Sequence, residues 1–216
     1  MIPNKIDMNL VKFAEAINWQ RGTQVVLIQT KETETDLVEQ ARQGDRHAFG
    51  ELVCRYYPGV VQVVYRLCGD PGLAQDMAQE TFMRAWIKFQ SFHPQSSLRN
   101  WFYRIAVNAT LDELRRRSEV TLEDESIQML ADQADSPETV LIKKERTAFL
   151  QMAMQSLPET ARSVLVLREY GELSYQEIAS VLGVPIGTVM SRLNYARNRL
   201  REVLNTHQLL LENEHA

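Results

Sequence analysis

The segment Ser174–Arg201, SYQEIASVLGVPIGTVMSRLNYARNRLR, leaves little freedom of fold. Ser174 and Glu177 stand in the S-x-x-E spacing of a capping box, whose hydroxyl and carboxylate each take a backbone N–H that a helix start leaves unpaired. Ile178, Ala179 and Leu182 give the ensuing short helix one apolar face. Gly183 suits its end, and Pro185 suits the first turn of a second helix, where a missing N–H costs nothing. In that second helix Val189, Leu193, Ala196, Leu200 and Leu204 fall near helical spacing and face inward. Thr188, Ser191, Arg192, Asn194, Arg197, Arg199 and Arg201 take the other side. Four arginines and no acid between Ile186 and Arg201 give that stretch a charge of +4. These donors suit phosphates and base edges. The spacing predicts a helix-turn-helix whose second helix enters a DNA groove, although a surface helix with a solvated basic face would show the same pattern.

The rest of the chain is read in the same helical period. Strand signals are nearly absent from Thr35 onward. Asp36–Gln43 predicts a helix ended by Gly44. Asp45 caps another, which carries Ala48, Phe49, Leu52, Val53 and Tyr56, is punctuated by Pro58, and resumes with Val60, Val61, Val64 and Leu67. The run Gly69-Asp70-Pro71-Gly72 is a turn. Leu73–Phe89 is amphipathic, 90–97 reads as a loop, and Leu98, Phe102, Ile105 and Ala109 mark a long helix running into Arg115-Arg116-Arg117. Periodicity returns from Glu138 to Leu204, with Pro158 opening a segment that carries Val164, Leu165 and Leu167. The expected fold class is all-α: two small helical domains, residues 35–117 and 138–205, joined by a flexible acidic linker, 118–137. An N-terminal extension, 1–34, and a C-terminal tail, 206–216, flank them. Leu10, Phe13, Ala14 and Ile17 suit one short helix in the extension, and 25–28 a strand-like run.

Charge is partitioned more than it is abundant. The chain of 216 residues has a formal net charge of −4 and is 44% hydrophobic, which supports buried cores and argues against a generic nucleic-acid coat. Residues 98–117 nevertheless carry +3, and 118–139 carry seven acids and no base. Cys54 and Cys68 form no C-x-x-C or Cys/His pattern and are expected as two buried free thiols in a reducing cytosol. No run has the length of a membrane span and no secretory leader stands at the start, so a cytoplasmic protein without membrane insertion is expected. His47, His93, His207 and His215 are scattered, no acid cluster has metal spacing, and no glycine loop would cradle a phosphate. The sequence therefore calls for no catalytic residue, no metal and no cofactor.

The segment 92–117 combines Phe92, Trp101, Phe102 and Tyr103 with Arg99, Arg104 and Asn108. Aromatic faces stack on exposed bases, arginines neutralise phosphates and an amide reads a base edge, which is what single-stranded DNA requires. Stacking contributes about 1–3 kcal/mol per base, comparable to the cost of unstacking one. Phe102 and Ile105 are expected in the core, and Trp101 fits either core packing or a pocket wall. Arg115, Arg116 and Arg117 fit either a cation cluster at a helix C-terminus or contact with phosphates.

The run DMAQETFMRAWIKFQSF with SSLRNWFYRIAVNATLDELRRR resembles region 2 of bacterial RNA polymerase sigma factors of the extracytoplasmic-function (ECF) group. The tail SLPETARSVLVLREYGELSYQEIASVLGVPIGTVMSRLNYARNRLR resembles their region 4. The resemblance covers residues 36–203 in the family's order. It implies a promoter-specificity subunit for core RNA polymerase, bound to promoter DNA in both duplex and single-stranded form. The loop with Phe92, Ser96 and Ser97, together with Arg99, Trp101, Arg104 and Asn108, would hold the minus-ten element, with Arg115–Arg117 on nearby phosphates. Thr188, Met190, Ser191, Arg192, Asn194 and Arg197 would read the minus-thirty-five element. Met190 departs from the basic residue often found there, and would touch a thymine methyl or simply cover the helix. Asp76, Gln79, Glu80, Met83, Arg84 and Trp86 would dock on the clamp helices of the polymerase β′ subunit, with the β flap a further polymerase contact. From the residues alone that helix is only a solvated acidic face. The acidic linker would thread near the polymerase cleft, or serve as a self-repelling tether. An anti-sigma partner is common in the family.

A helix-turn-helix regulator that binds duplex DNA as a dimer is the alternative. The segment 98–117 distinguishes the two, because a duplex-only regulator needs no single-strand platform.

Overall fold

The computed structural model describes residues 33–93, 97–121 and 138–214. The expected helix around Leu10–Ile17, the run 25–28, Ser96 and most of the acidic linker lie outside them. The described residues form helices α1 (Glu34–Arg42), α2 (Arg46–Cys68), α3 (Pro71–Lys88), a 3-10 turn (Phe89–Ser91), and α4 (Leu98–Thr121). After the linker come α5 (Glu138–Gln155), α6 (Glu159–Glu169), α7 (Tyr175–Leu182) and α8 (Ile186–Glu214).

Local chemistry sets most of these ends. The Thr33 hydroxyl accepts the Asp36 N–H and the Asp36 carboxylate answers it, a second capping box. Asp45 Oδ1 accepts the His47 N–H at 2.8 Å, and Asp70 Oδ1 accepts the Gly72 and Leu73 N–H groups with Pro71 in the first helical position. Gly69 closes α2 at φ +80°, a left-handed conformation that other residues adopt only with strain. Pro58 behaves otherwise than expected: α2 runs through it without a break. The proline leaves the Cys54 carbonyl without its helical partner, and Cys54 lies exposed, where water can take that acceptor. Burial of Val60, Val63, Val64 and Leu67 beyond it outweighs the remaining penalty.

The first half is a bundle of α2, α3 and α4 with α1 laid across α2. Its centre is aromatic. Phe49, Phe82, Phe89 and Phe102 are all but fully buried, and their rings meet Trp86, Tyr57, Phe92, Trp101 and one another at centroid distances of 5.0–6.1 Å. Tyr56 ties α1 down by donating to Glu34 Oε2 at 2.6 Å. Ile105, expected in the core beside Phe102, is half-buried against it. The expected pair of buried thiols is corrected too: Cys54 is exposed and Cys68 half-buried. Cys54 occupies the solvent side of α2, the same side that makes Pro58 tolerable.

In the second half α6 and α7 pack against α8. Leu165, Leu167, Leu173, Ile178, Val181, Val189, Leu193 and Ala196 form its apolar seam, and Pro158 precedes the first residue of α6 as expected. The two halves touch. α2 meets α5 and α6, and α4 meets α7, so that the buried apolar residues of both form one continuous cluster. Gly171 stands at this seam, where a Cβ would lie 2.7 Å from the Leu167 carbonyl oxygen and 3.3 Å from the Tyr103 ring.

Candidate nucleic-acid and polymerase interfaces

The helix-turn-helix forms as its residues dictate. The Ser174 hydroxyl accepts the Glu177 N–H, and Glu177 Oε2 accepts the Ser174 N–H at 2.8 Å. Gly183 ends α7 at φ +65°. The Pro185 carbonyl accepts the Thr188 and Val189 N–H groups at 2.9 and 3.2 Å, which starts α8. Val189, Leu193 and Ala196 are buried, whereas Met190, Ser191, Asn194 and Tyr195 are exposed and Thr188 and Arg192 half-buried. Ser191, Asn194, Tyr195, Asn198 and Arg199 share one shallow groove. Tyr195, half exposed, lies in the same groove as the predicted Ser191 and Asn194 and was not among the residues singled out in the sequence. Arg197, of the predicted set, is exposed and paired with Glu169 at 2.8 Å. Leu204, expected to pack inward, is exposed where α8 runs past the rest of the bundle.

The second candidate surface lies on α4. Trp101, Arg104 and Asn108 fall along one side of the helix, with Arg104 and Asn108 exposed and Trp101 half-buried. The indole is braced by Phe89, Phe92 and Phe102 at 5.7, 5.2 and 5.6 Å, so one part of it packs and the rest meets solvent. The core-packing reading of Trp101 is met by these contacts, and the exposed part of the ring stays available as a surface. Phe92, predicted to face the DNA, is 2% exposed and packs against Phe89 and Trp101. Ser97 starts α4, its carbonyl accepting the Trp101 N–H at 3.0 Å.

The basic run Arg115–Arg117 lies one turn before the end of this helix, at Thr121, and is largely compensated. Arg116 and Arg117 both reach Glu113 Oε1 at 2.8 Å, and the two guanidiniums pull the Glu113 carboxyl down to about 2. Arg115 lies 3.7 Å from Asp112 and 3.5 Å from Glu159 of α6. Exposed pairs of this kind hold weakly and exchange readily for other anions.

The third surface is the outer side of α3. Asp76 is exposed, Gln79, Glu80 and Met83 are half-buried, and Arg84 binds Glu80 at 2.7 Å. Ile87 continues the line from Asp76 through Glu80 and Met83, and at 73% exposure is the most exposed large apolar side chain described. Its helical spacing from Met83 was the signal in the sequence. Trp86, predicted with this set, is half-buried, with its ring against Phe49 at 5.0 Å between centroids. An open groove of about 500 Å³ separates α3 from α4, lined by Asp76, Glu80, Arg84, Asp112, Glu113 and Arg116. Among the described residues no group of three or more His, Cys, Asp or Glu could hold a metal, and no helix is long and apolar enough to cross a membrane.

Comparison with known proteins places the chain in a family. Residues 52–120 match the family described as Sigma-70 region 2, and residues 150–200 match Sigma-70, region 4. The chain is 37% identical over 185 residues to RNA polymerase sigma-H factor of Pseudomonas aeruginosa, covering 81% of this chain and 95% of that protein. It is 33% identical to ECF RNA polymerase sigma factor SigW of Bacillus subtilis, covering 77% and 94%. Among solved structures, the sigma factor RpoE of Bartonella quintana, in complex with the anti-sigma factor NepR, is similar with a TM-score of 0.59 and 27% identity over 73% of this chain and 96% of that one. The chain belongs to the ECF group of the sigma-70 family of RNA polymerase sigma factors.

Proposed function

We propose that this chain is a promoter-specificity subunit of bacterial RNA polymerase that works in the cytoplasm and performs no catalysis itself. Residues 35–117 serve as the region 2 unit and 138–205 as the region 4 unit. The outer side of α3, from Asp76 to Ile87, docks on the β′ clamp helices of core polymerase. Trp101, Arg104 and Asn108, with Arg99 and Ser97 at the head of α4, hold unstacked bases and phosphates of the minus-ten element. Thr188, Met190, Ser191, Arg192, Asn194 and Tyr195 enter the duplex groove at the minus-thirty-five element. Arg192 and Arg201 make no ion pair with a described residue, whereas Arg197 and Arg199 are paired with Glu169 and Glu202. Arg115–Arg117 exchange their intramolecular carboxylates for DNA phosphates, and Arg197 can do the same.

The observation that carries this reading is the coexistence, on one chain, of a braced indole beside Arg104 and Asn108 with a separate helix-turn-helix. A duplex-only dimeric regulator has no use for the first. The complex of a structural relative with an anti-sigma factor supports such an inhibitor as a partner here.

The docking face is tested by Ile87→Glu. Removing an exposed anchor of this size and charging the position is expected to weaken association with core polymerase by about tenfold or more, since a buried apolar side chain contributes about 1.5–3 kcal/mol. Thermal stability should stay within about 0.5 kcal/mol of the parent, as the site is solvated. Unchanged affinity in a competition assay for core enzyme would remove α3 from the interface.

A further inference from the structure

The first sixteen residues of α8 carry four arginines, yet none of them stands at the centre of its outward side. At about 100° per residue, the direction opposite the buried Val189, Leu193 and Ala196 belongs to Gly187, Ser191, Asn194, Tyr195 and Asn198. All five are exposed and none is charged. Arg192 and Arg199 fall on one flank of this strip and Arg197 on the other, about two turns after Met190. Met190 and Tyr195 border the strip on its two sides and are 54% and 51% exposed. Arg197 holds Glu169 at 2.8 Å and Arg199 holds Glu202 at 3.0 Å. Arg201 lies about four turns into the helix, beyond the N-terminal part that reaches base edges in a helix-turn-helix, and donates to Asn198 Oδ1 at 3.0 Å.

Side-chain type decides which base edge is read. Guanine O6 and N7 are taken by arginine or lysine, adenine N6 and N7 by an asparagine or glutamine amide, and the thymine C5-methyl by apolar surface. The central strip offers the second and third of these and lacks the first. The Asn194 side chain is exposed and makes no hydrogen bond to a described residue, so its amide presents oxygen and nitrogen together. The Tyr195 ring and the Met190 side chain present apolar surface that sheds water when a methyl group covers it. The arginines stand on the flanks, where the two phosphate backbones border a groove, and contacts there fix position without reading sequence. The positive charge of α8 therefore serves affinity, and its neutral centre serves choice.

Resting on the sigma-factor reading, we propose that Asn194 and Tyr195, with Met190 at the edge, make the minus-thirty-five contact selective for A·T pairs. The Asn194 amide pairs with an adenine edge, and Tyr195 and Met190 seat on thymine methyls. Tyr195 is the specificity-determining residue that the basic composition of this helix conceals.

The test uses holoenzyme reconstituted from the full chain and core polymerase, on promoter DNA randomised across the minus-thirty-five region. The parent is expected to select a motif in which A·T pairs dominate. Replacing the selected thymines by deoxyuridine removes only the C5-methyl, and should weaken parent binding about three- to fivefold for each methyl read. That comparison uses the unaltered chain and so does not depend on the folding of any variant. Tyr195→Ala should lose part of this methyl effect, and Tyr195→Arg should bring a guanine into the selected motif. Asn194→Ala should weaken binding to the selected site about tenfold and relax the preference for adenine at one position. Circular dichroism of the variants should match the parent, since both side chains are solvated. A guanine-dominated motif from the parent, no loss with deoxyuridine, or a full methyl effect in Tyr195→Ala each overturns the proposal and leaves the sigma-factor reading standing. A chain that forms no holoenzyme overturns that reading and the proposal with it.

Discussion

Phe82→Ala is expected to cost about 3–5 kcal/mol of stability, the range for truncating a fully buried phenylalanine. The ring has no exposed surface, lies 5.0 Å from Phe102 and 6.1 Å from Tyr57, and joins α3 to both α4 and α2. Domains of this size have total stabilities of about 5–15 kcal/mol, so the first half stands near its unfolding limit once the ring is gone. At about 4–8 °C per kcal/mol, Tm should fall by more than about 12 °C in a thermal melt followed by circular dichroism. Polymerase binding and promoter function should decline together, because α3 and α4 carry both surfaces and Phe82 holds the two in register. A Tm loss below about 4 °C would mean that the aromatic centre repacks and is not the keystone of the first bundle.

Trp101→Ala should separate two activities that Phe82→Ala cannot. The indole is half-buried against Phe89, Phe92 and Phe102, with its remaining edge beside the line of Arg104 and Asn108. Loss of one stacked base contributes about 1–3 kcal/mol, or about 5- to 150-fold in an opening equilibrium. Closed-complex formation depends on phosphates and on α8, and should change by less than about threefold. The comparison is a reactivity footprint of unpaired thymines in the minus-ten region against a mobility assay of the closed complex. Trp101→Phe retains a ring on the same brace and should restore part of the opening. Equal loss of both steps, with a large fall in Tm and no rescue by phenylalanine, would assign Trp101 to the core alone.

Much of the fold was legible because its boundaries are set by local chemistry. Ser174–Glu177, Gly183 and Asp45 are decided within four residues of sequence, and each forms as the spacing predicts; the run 69–72, expected as a turn, instead starts α3 at Pro71 under an Asp70 cap. Pro58 is expected to punctuate its helix because its local cost is visible, while the buried valines on the next turns act through tertiary packing. The same reason hid the Phe49 contact of Trp86, whose helical position borders the exposed side of α3. The arginines show the limit most clearly. Their number predicts a basic surface, but pairing of Arg197 with Glu169, and of Arg115 with Glu159, joins residues 28 and 44 positions apart. No period in the sequence reports such partners. Glu177 was legible as a cap and illegible as a contact to Asn100 for the same reason.

The central claim is that α3, α4 and α8 serve one polymerase. The direct measurement is reconstituted transcription with purified core RNA polymerase on a fragment library from the native genome, with transcript starts mapped. The chain is expected to co-migrate with core enzyme and to confer initiation at a defined set of starts that core alone does not use. Each start should share one motif near minus ten and another near minus thirty-five. Failure to associate with core, together with tight binding of the chain alone as a dimer to a near-palindromic duplex, would contradict it.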